Sequence, residues 1–138
     1  MPPVEINYLA VLVAATLNMA LGAFWYSPMA FGKQWMELSG ISQKDIDSGK
    51  KQMNSKYGIA FLGALVMAYV LAHIIDYAQA ETVSQGIQTG FWVWLGFVAT
   101  VTLGSILWEG KPTKLYVLNN AYQLVTLVIS GTILAVWV

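Results

Sequence analysis

Between them, residues 6–26, 57–77, 86–108 and 115–138 carry a single charged side chain, Asp76. Each run is long enough to cross the roughly 30 Å hydrocarbon core of a bilayer, which takes about 20 helical residues. A soluble helix of that length would carry a polar stripe to face water, and these runs do not. The chain as a whole is 57% hydrophobic and 10% charged, against roughly 25% charged residues in an ordinary soluble domain. The expected fold class is all-α: an integral membrane four-helix bundle in one domain, residues 1–138. Residues 1–7 hold no Lys or Arg, and the first run ends in Trp-Tyr-Ser-Pro where a signal peptide would have small residues. A removed signal peptide is therefore not expected.

Charge sets the expected orientation. All seven basic residues are lysines, at positions 33, 44, 50, 51 and 56 after the first run and 111 and 114 after the third. Positive residues flanking spans stay on the cytoplasmic side. The loop of residues 27–56 and the loop between the third and fourth spans are thus expected in the cytoplasm, with both termini outside. The second loop and the chain start carry only Glu5, Asp76 and Glu81. The expected location is the plasma membrane, multi-pass, with the lipid bilayer as the principal partner. A formal net charge of zero gives no reason to expect a nucleic-acid partner. The absence of cysteine excludes disulfides, thiolate metal sites and cysteine nucleophiles.

Local signals divide the first loop. Pro28 cannot continue a helix and disfavours helical angles at Ser27, so the first span is expected to stop near Tyr26. Phe31, Trp35 and Leu38 then recur at i, i+4, i+7, opposite Lys33 and Glu37, as in a short amphipathic helix lying on the membrane face. Gly40 is placed to end it, and Ser42 with Asp45 makes a capping box for a second short helix from about Gln43. The stretch up to Tyr57 is polar and reads as solvated. Ala60, Ala64, Ala68 and Ala72 in the second span, and Gly86, Gly90, Gly96, Thr100 and Gly104 in the third, are small-residue ladders that let helix backbones approach closely. Leu21-Gly22-Ala23-Phe24-Trp25 before Pro28 is faintly echoed by Leu103–Trp108 before Pro112, which raises a parallel duplication or, more simply, similar interface chemistry at two helix ends.

Polar residues inside the spans are the candidate site. Asn119, Gln123, Thr126 and Ser130 fall on one stripe of the fourth span, and Asn18 lies on a polar line of the first. Polar side chains in hydrocarbon need partners, so both stripes are expected to face the interior. They fit interhelical packing, and alternatively a neutral polar pathway. The aromatic corner of Trp25, Tyr26, Pro28, Phe31 and Trp35 is a second candidate, at the cytoplasmic interface. His73 and Asp76, three apart at the outer end of the second span, form a candidate pair for a proton relay or, more simply, an interfacial pair reaching water. One histidine cannot build a zinc or haem site alone. No nucleophile–base pair or phosphate loop is present, so neither an enzyme nor a cofactor is expected, and no small-molecule ligand is identified.

The sequence carries a resemblance in Asn7-Tyr8-Leu9-Ala10-Val11, Leu21–Pro28, Phe31-Gly32-Lys33-Gln34-Trp35-Met36 and Gly40-Ile41-Ser42, with Gly110-Lys111-Pro112 and residues 131–137. In these it resembles the family known as domain of unknown function 1761, mainly small prokaryotic four-span membrane proteins. The resemblance implies the same span count and no established activity. Two functional expectations follow: a structural or accessory four-span protein that can form a homo-oligomer, or a small-solute carrier or pore using Asn18, Asn119, Gln123 and Thr126.

Overall fold

The computed structural model describes all 138 residues. They form seven α-helices and no strand: α1 (Tyr8–Trp25), α2 (Gly32–Ser39), α3 (Gln43–Ser48), α4 (Met53–Tyr77), α5 (Val83–Trp94), α6 (Gly104–Leu107) and α7 (Thr113–Val136). Four helical stretches are long and apolar enough to cross a membrane, at Tyr8–Trp25, Lys50–Tyr77, Val83–Leu107 and Thr113–Val136.

Caps mark the helix starts. The Asn7 side chain accepts the Ala10 amide at 3.1 Å and opens α1. Thr82 and Gln85 form a reciprocal capping box at the start of α5, as Ser42 and Asp45 do for α3. The backbone and hydroxyl hydrogen bonds from Ser42 favour the charged form of Asp45 and hold its carboxyl below the usual value. α2 ends at Gly40 in the left-handed region (φ 71°), with the Gly40 and Ile41 amides folding back onto the Glu37 and Met36 carbonyls. That geometry favours glycine, because a Cβ there would be strained.

Two boundaries differ from the sequence expectation. Helix returns at a 3-10 turn, Lys50–Gln52, and runs straight into α4, so the second helical stretch starts about two turns before Tyr57. Lys, Gln and Met are good helix formers and nothing in 50–56 breaks the helix, so the polarity of this stretch does not unwind it. The third span is interrupted: after Trp94 the chain makes a π-helical turn, Leu95–Ala99, and then loose turns before α6. This segment holds Gly96 and four β-branched residues, Val98, Thr100, Val101 and Thr102, all weak helix formers. Thr100 and Thr102 also donate their hydroxyls to the carbonyls one turn earlier, Gly96 and Val98, each at 2.7 Å, back-bonding of the kind that bends helices.

α7 is the shared partner of the other long helices. It packs on α5, α1 and α4, and α2 also touches it. The core joins Ala10, Val11 and Ala14 of α1 to Ala68, Leu71 and Ile75 of α4 and Leu127, Leu134 and Ala135 of α7. Along the α5–α7 seam the backbones meet. A Cβ on Gly86 would lie 2.6 Å from the Gly131 carbonyl oxygen, and one on Gly90 would overlap the Leu127 carbonyl. Facing outward, large apolar side chains stand open, among them Ile59 at 72% and Phe97 at 73% exposure. Exposed apolar side chains in that number suit hydrocarbon and not water.

The chain reverses so that every lysine lies at one end of the helix array, where α1 ends and α7 begins. At the opposite end the two termini meet: the Asn7 side-chain amide donates to the Trp137 carbonyl at 3.2 Å. The echo between the first and third span ends does not extend to packing. Trp25 is half-buried against α7, whereas Trp108 is 86% exposed.

Candidate functional site

At the lysine-bearing end, the chain between α1 and α2 folds into a compact corner. The Phe31 amide donates to the Trp25 carbonyl at 2.9 Å, and the Ala30 and Gly32 amides donate to the Ser27 carbonyl at 3.0 and 2.8 Å. Gly32 lies so close to the Tyr26–Ser27 backbone that a Cβ would sit 2.5 Å from the Tyr26 carbonyl oxygen. Ser27 caps the end of α1 by donating its hydroxyl to the Phe24 carbonyl at 2.6 Å. Pro28, with no amide hydrogen to satisfy, stands exposed on the outside of this turn.

The tight turn aims each aromatic at a different partner. The Trp25 indole N–H donates to the Leu118 carbonyl at 3.2 Å, and its ring lies 4.8 Å from Phe31. The Tyr26 hydroxyl donates to Asn119 Oδ1 at 2.8 Å, and its ring meets Trp35 edge-on at 5.8 Å and Tyr122 edge-on at 5.4 Å. Tyr122 reaches one turn deeper, donating to Asn18 Oδ1 at 2.6 Å and lying 3.0 Å from the Asn18 carbonyl. Gly22 makes room for it, since a Cβ there would lie 2.7 Å from the Tyr122 hydroxyl. Two amides and two phenols thus tie α1 to α7.

The candidate stripe on α7 is divided in use. Asn119 and Asn18 are taken by tyrosines. Thr126 and Ser130 are buried deeper, at 1% and 2% exposure, and the Thr126 hydroxyl finds no partner. Gln123 is half-buried and makes no side-chain hydrogen bond within the protein. It lines a cavity of about 230 Å³ between α7 and the distorted end of the third span, together with Asn119, Asn120, Thr102 and Lys111. A liquid water occupies about 30 Å³, so a space of that size and polarity has room for several. Asn120 faces α5 instead of α1: its side-chain amide donates to Thr102 Oγ1 at 3.0 Å and to the Tyr116 carbonyl at 3.1 Å, while its backbone carbonyl accepts from the Trp94 indole at 2.9 Å. The Tyr116 hydroxyl donates to the Ala99 carbonyl in the π-helical turn at 2.6 Å.

The His73–Asp76 pair is not joined. His73 Nδ1 lies 2.9 Å from the Tyr69 carbonyl, and its ring sits between Tyr69 and Tyr77 at 4.7 and 6.3 Å. Asp76 instead lines a separate cavity of about 450 Å³ with Glu5 and Glu81. The one ion pair in the chain is Lys50 with Asp47 at 3.3 Å.

Sequence reasoning passed over Tyr122, Tyr116 and the bond made by the Trp94 indole. Tyr122 left a signal, because positions 119, 122, 123 and 126 follow the i, i+3, i+4, i+7 pattern of one helix face. For Tyr116 and Trp94 there was none, since their carbonyl partners on Ala99 and Asn120 are set by tertiary packing.

A family model described as a protein of unknown function, DUF1761, matches residues 9–135. No curated protein and no solved structure matches the chain.

Proposed function

Since the chain belongs to the DUF1761 family of proteins of unknown function, which brings no activity to carry over, we propose from its own geometry that it is a structural or accessory membrane protein. In this reading the four long helices form a bundle across the plasma membrane of a prokaryotic cell, and α2 lies in the interface. The lysine-bearing end is cytoplasmic and the termini are outside, an orientation that rests on the confinement of all seven lysines to one end. The exposed Trp92 and Phe97 of the third span offer a surface for self-association. The protein is not an enzyme.

One observation carries this reading: the amides that could line a solute path, Asn18 and Asn119, are held by the Tyr122 and Tyr26 hydroxyls. Interhelical hydrogen bonds of this kind contribute about 0.6 kcal/mol on average and fix helix register. The test is a double-mutant cycle on Tyr26→Phe and Asn119→Leu, read by reversible unfolding in detergent. Packing requires a coupling of roughly 0.6–1.5 kcal/mol. Additive effects of the two changes would overturn it.

A second reading, a small-solute carrier or pore, is favoured by Gln123. Its amide is without a protein partner and faces the 230 Å³ cavity that also includes the loop residue Lys111.

A further inference from the structure

Beside the aromatic corner, α2 and the start of α7 leave a groove of about 570 Å³ between them. The Trp25 and Phe31 rings, 4.8 Å apart, and Leu38, Val117, Leu118 and Ala121 give it an apolar wall. Its polar lining is Gln34, Glu37, Thr113 and Lys114. The groove therefore has the two-part character of an amphiphile: hydrocarbon surface along one side, and a carboxylate and an ammonium along the other.

Those two charges are free. Glu37 and Lys114 are both exposed, neither takes part in an ion pair, and neither makes a side-chain hydrogen bond within the protein. They come from different elements, α2 and α7, and the groove lies between them. A ligand that carried one sign of charge would satisfy one of them and be repelled by the other. A headgroup with a phosphate and a primary ammonium separated by a short linker satisfies both, the phosphate accepting from Lys114 and the ammonium donating to Glu37. The apolar wall begins where the first span ends, next to the surface that faces hydrocarbon, so an acyl chain can enter it without leaving an apolar environment. Pockets of this volume fall in the range that encloses small ligands.

We propose that this groove is a binding site for one phospholipid with a zwitterionic phosphoethanolamine headgroup, its phosphate at Lys114, its ammonium at Glu37 and part of an acyl chain against Trp25 and Phe31. The occupant is the membrane lipid and not the free headgroup, because the apolar wall offers the isolated headgroup nothing. The inference stands apart from the packing role of the polar stripe: the groove shares Trp25 with the corner but uses neither Asn18 nor Asn119.

Native mass spectrometry of the delipidated protein in detergent, titrated with dioleoyl phosphatidylethanolamine, phosphatidylcholine or phosphatidylglycerol, tests it. A surface charge contact is worth about fivefold in affinity. Phosphatidylethanolamine should bind the wild type about fivefold or more tightly than phosphatidylcholine, whose methylated ammonium has no N–H to donate, and more tightly than phosphatidylglycerol, which has no cation. Glu37→Gln should bring phosphatidylethanolamine down to the level of phosphatidylcholine. Lys114→Gln should weaken all three by about fivefold. Val117→Trp, at a position 57% exposed, should fill the groove and lower occupancy by phosphatidylethanolamine while the far-UV circular dichroism spectrum and melting temperature stay unchanged. Soluble phosphoethanolamine in large excess should not displace the lipid. Equal binding of the three lipids by the wild type, unchanged preference in Glu37→Gln, or displacement by the free headgroup would each overturn the proposal.

Discussion

Gly22 shows how a single residue can be fixed by a neighbour far along the chain. Glycine in a helix interior costs roughly 0.5–1 kcal/mol relative to alanine, so alanine here would ordinarily stabilise. It cannot do so while the Tyr122 hydroxyl stands 2.7 Å from the position of the new Cβ. Gly22→Ala should therefore destabilise by about 1–3 kcal/mol, the range for overpacking. Much of that loss should vanish in the Tyr122→Phe background, where the hydroxyl is gone. Unfolding midpoints of the two single variants and the double variant measure this. A Gly22→Ala penalty that persists undiminished once the phenolic oxygen is removed would show the clash to be elsewhere. The sequence made Gly22 legible only as a small residue suited to close contact. What it contacts was hidden, because the partner is 100 positions away and reaches it through a tyrosine that reads as one more apolar residue. The same holds for Trp25, Tyr26, Phe31 and Trp35. As a group they read as interface anchors, yet generic anchoring does not explain their order. In the structure each place in that order has its own partner: the Leu118 carbonyl, Asn119, the Trp25 ring and the Tyr26 ring.

Between elements, the α5–α7 seam is the place where small residues decide the distance. Gly86 and Gly90 on α5 face Gly131 and Leu127 on α7 at backbone contact, so Gly90→Ala should lower stability by about 1–3 kcal/mol. Gly63 on α4 is the internal control. No atom lies within 4 Å of the Cβ it lacks, and Gly63→Ala should raise stability by roughly 0.5–1 kcal/mol. Unfolding of both variants under one set of conditions decides, and equal effects of the two changes would show that the seam does not set the packing distance. Spacing alone pointed to both ladders but not to their working length. Gly96 meets nothing, and in the alanine ladder Ala64 and Ala68 are buried while Ala60 is exposed. A small-residue repeat says which face is smooth. Where a partner helix crosses that face is set by loop lengths and by the other helices. The interruption of the third span was also illegible, because a run of apolar residues shows the same hydropathy whether its backbone is α-helical or distorted.

For the molecule as a whole, run length and charge made the four membrane-competent helices and the single lysine-bearing end readable without coordinates. The central place of α7 was not readable, since its hydropathy is the lowest of the four stretches while its burial is the most extensive. Polar residues lower the hydropathy of a helix and at the same time draw it inside, where they find partners. Orientation can be checked without background labelling, because the chain has no cysteine. Single cysteines introduced at Ser48 and Val138 should be reached by an impermeant maleimide from opposite sides of the membrane, Ser48 from the cytoplasm. Labelling of both from one side would overturn the orientation. The central claim, that the polar groups on α1 and α7 hold the helices together and do not conduct, meets its most direct test in proteoliposomes followed by stopped-flow light scattering with glycerol and urea as probes. The account predicts permeability equal to that of protein-free vesicles, for the wild type and Gln123→Leu alike. Protein-dependent permeation of either probe that disappears in Gln123→Leu, with the fold intact, would contradict it.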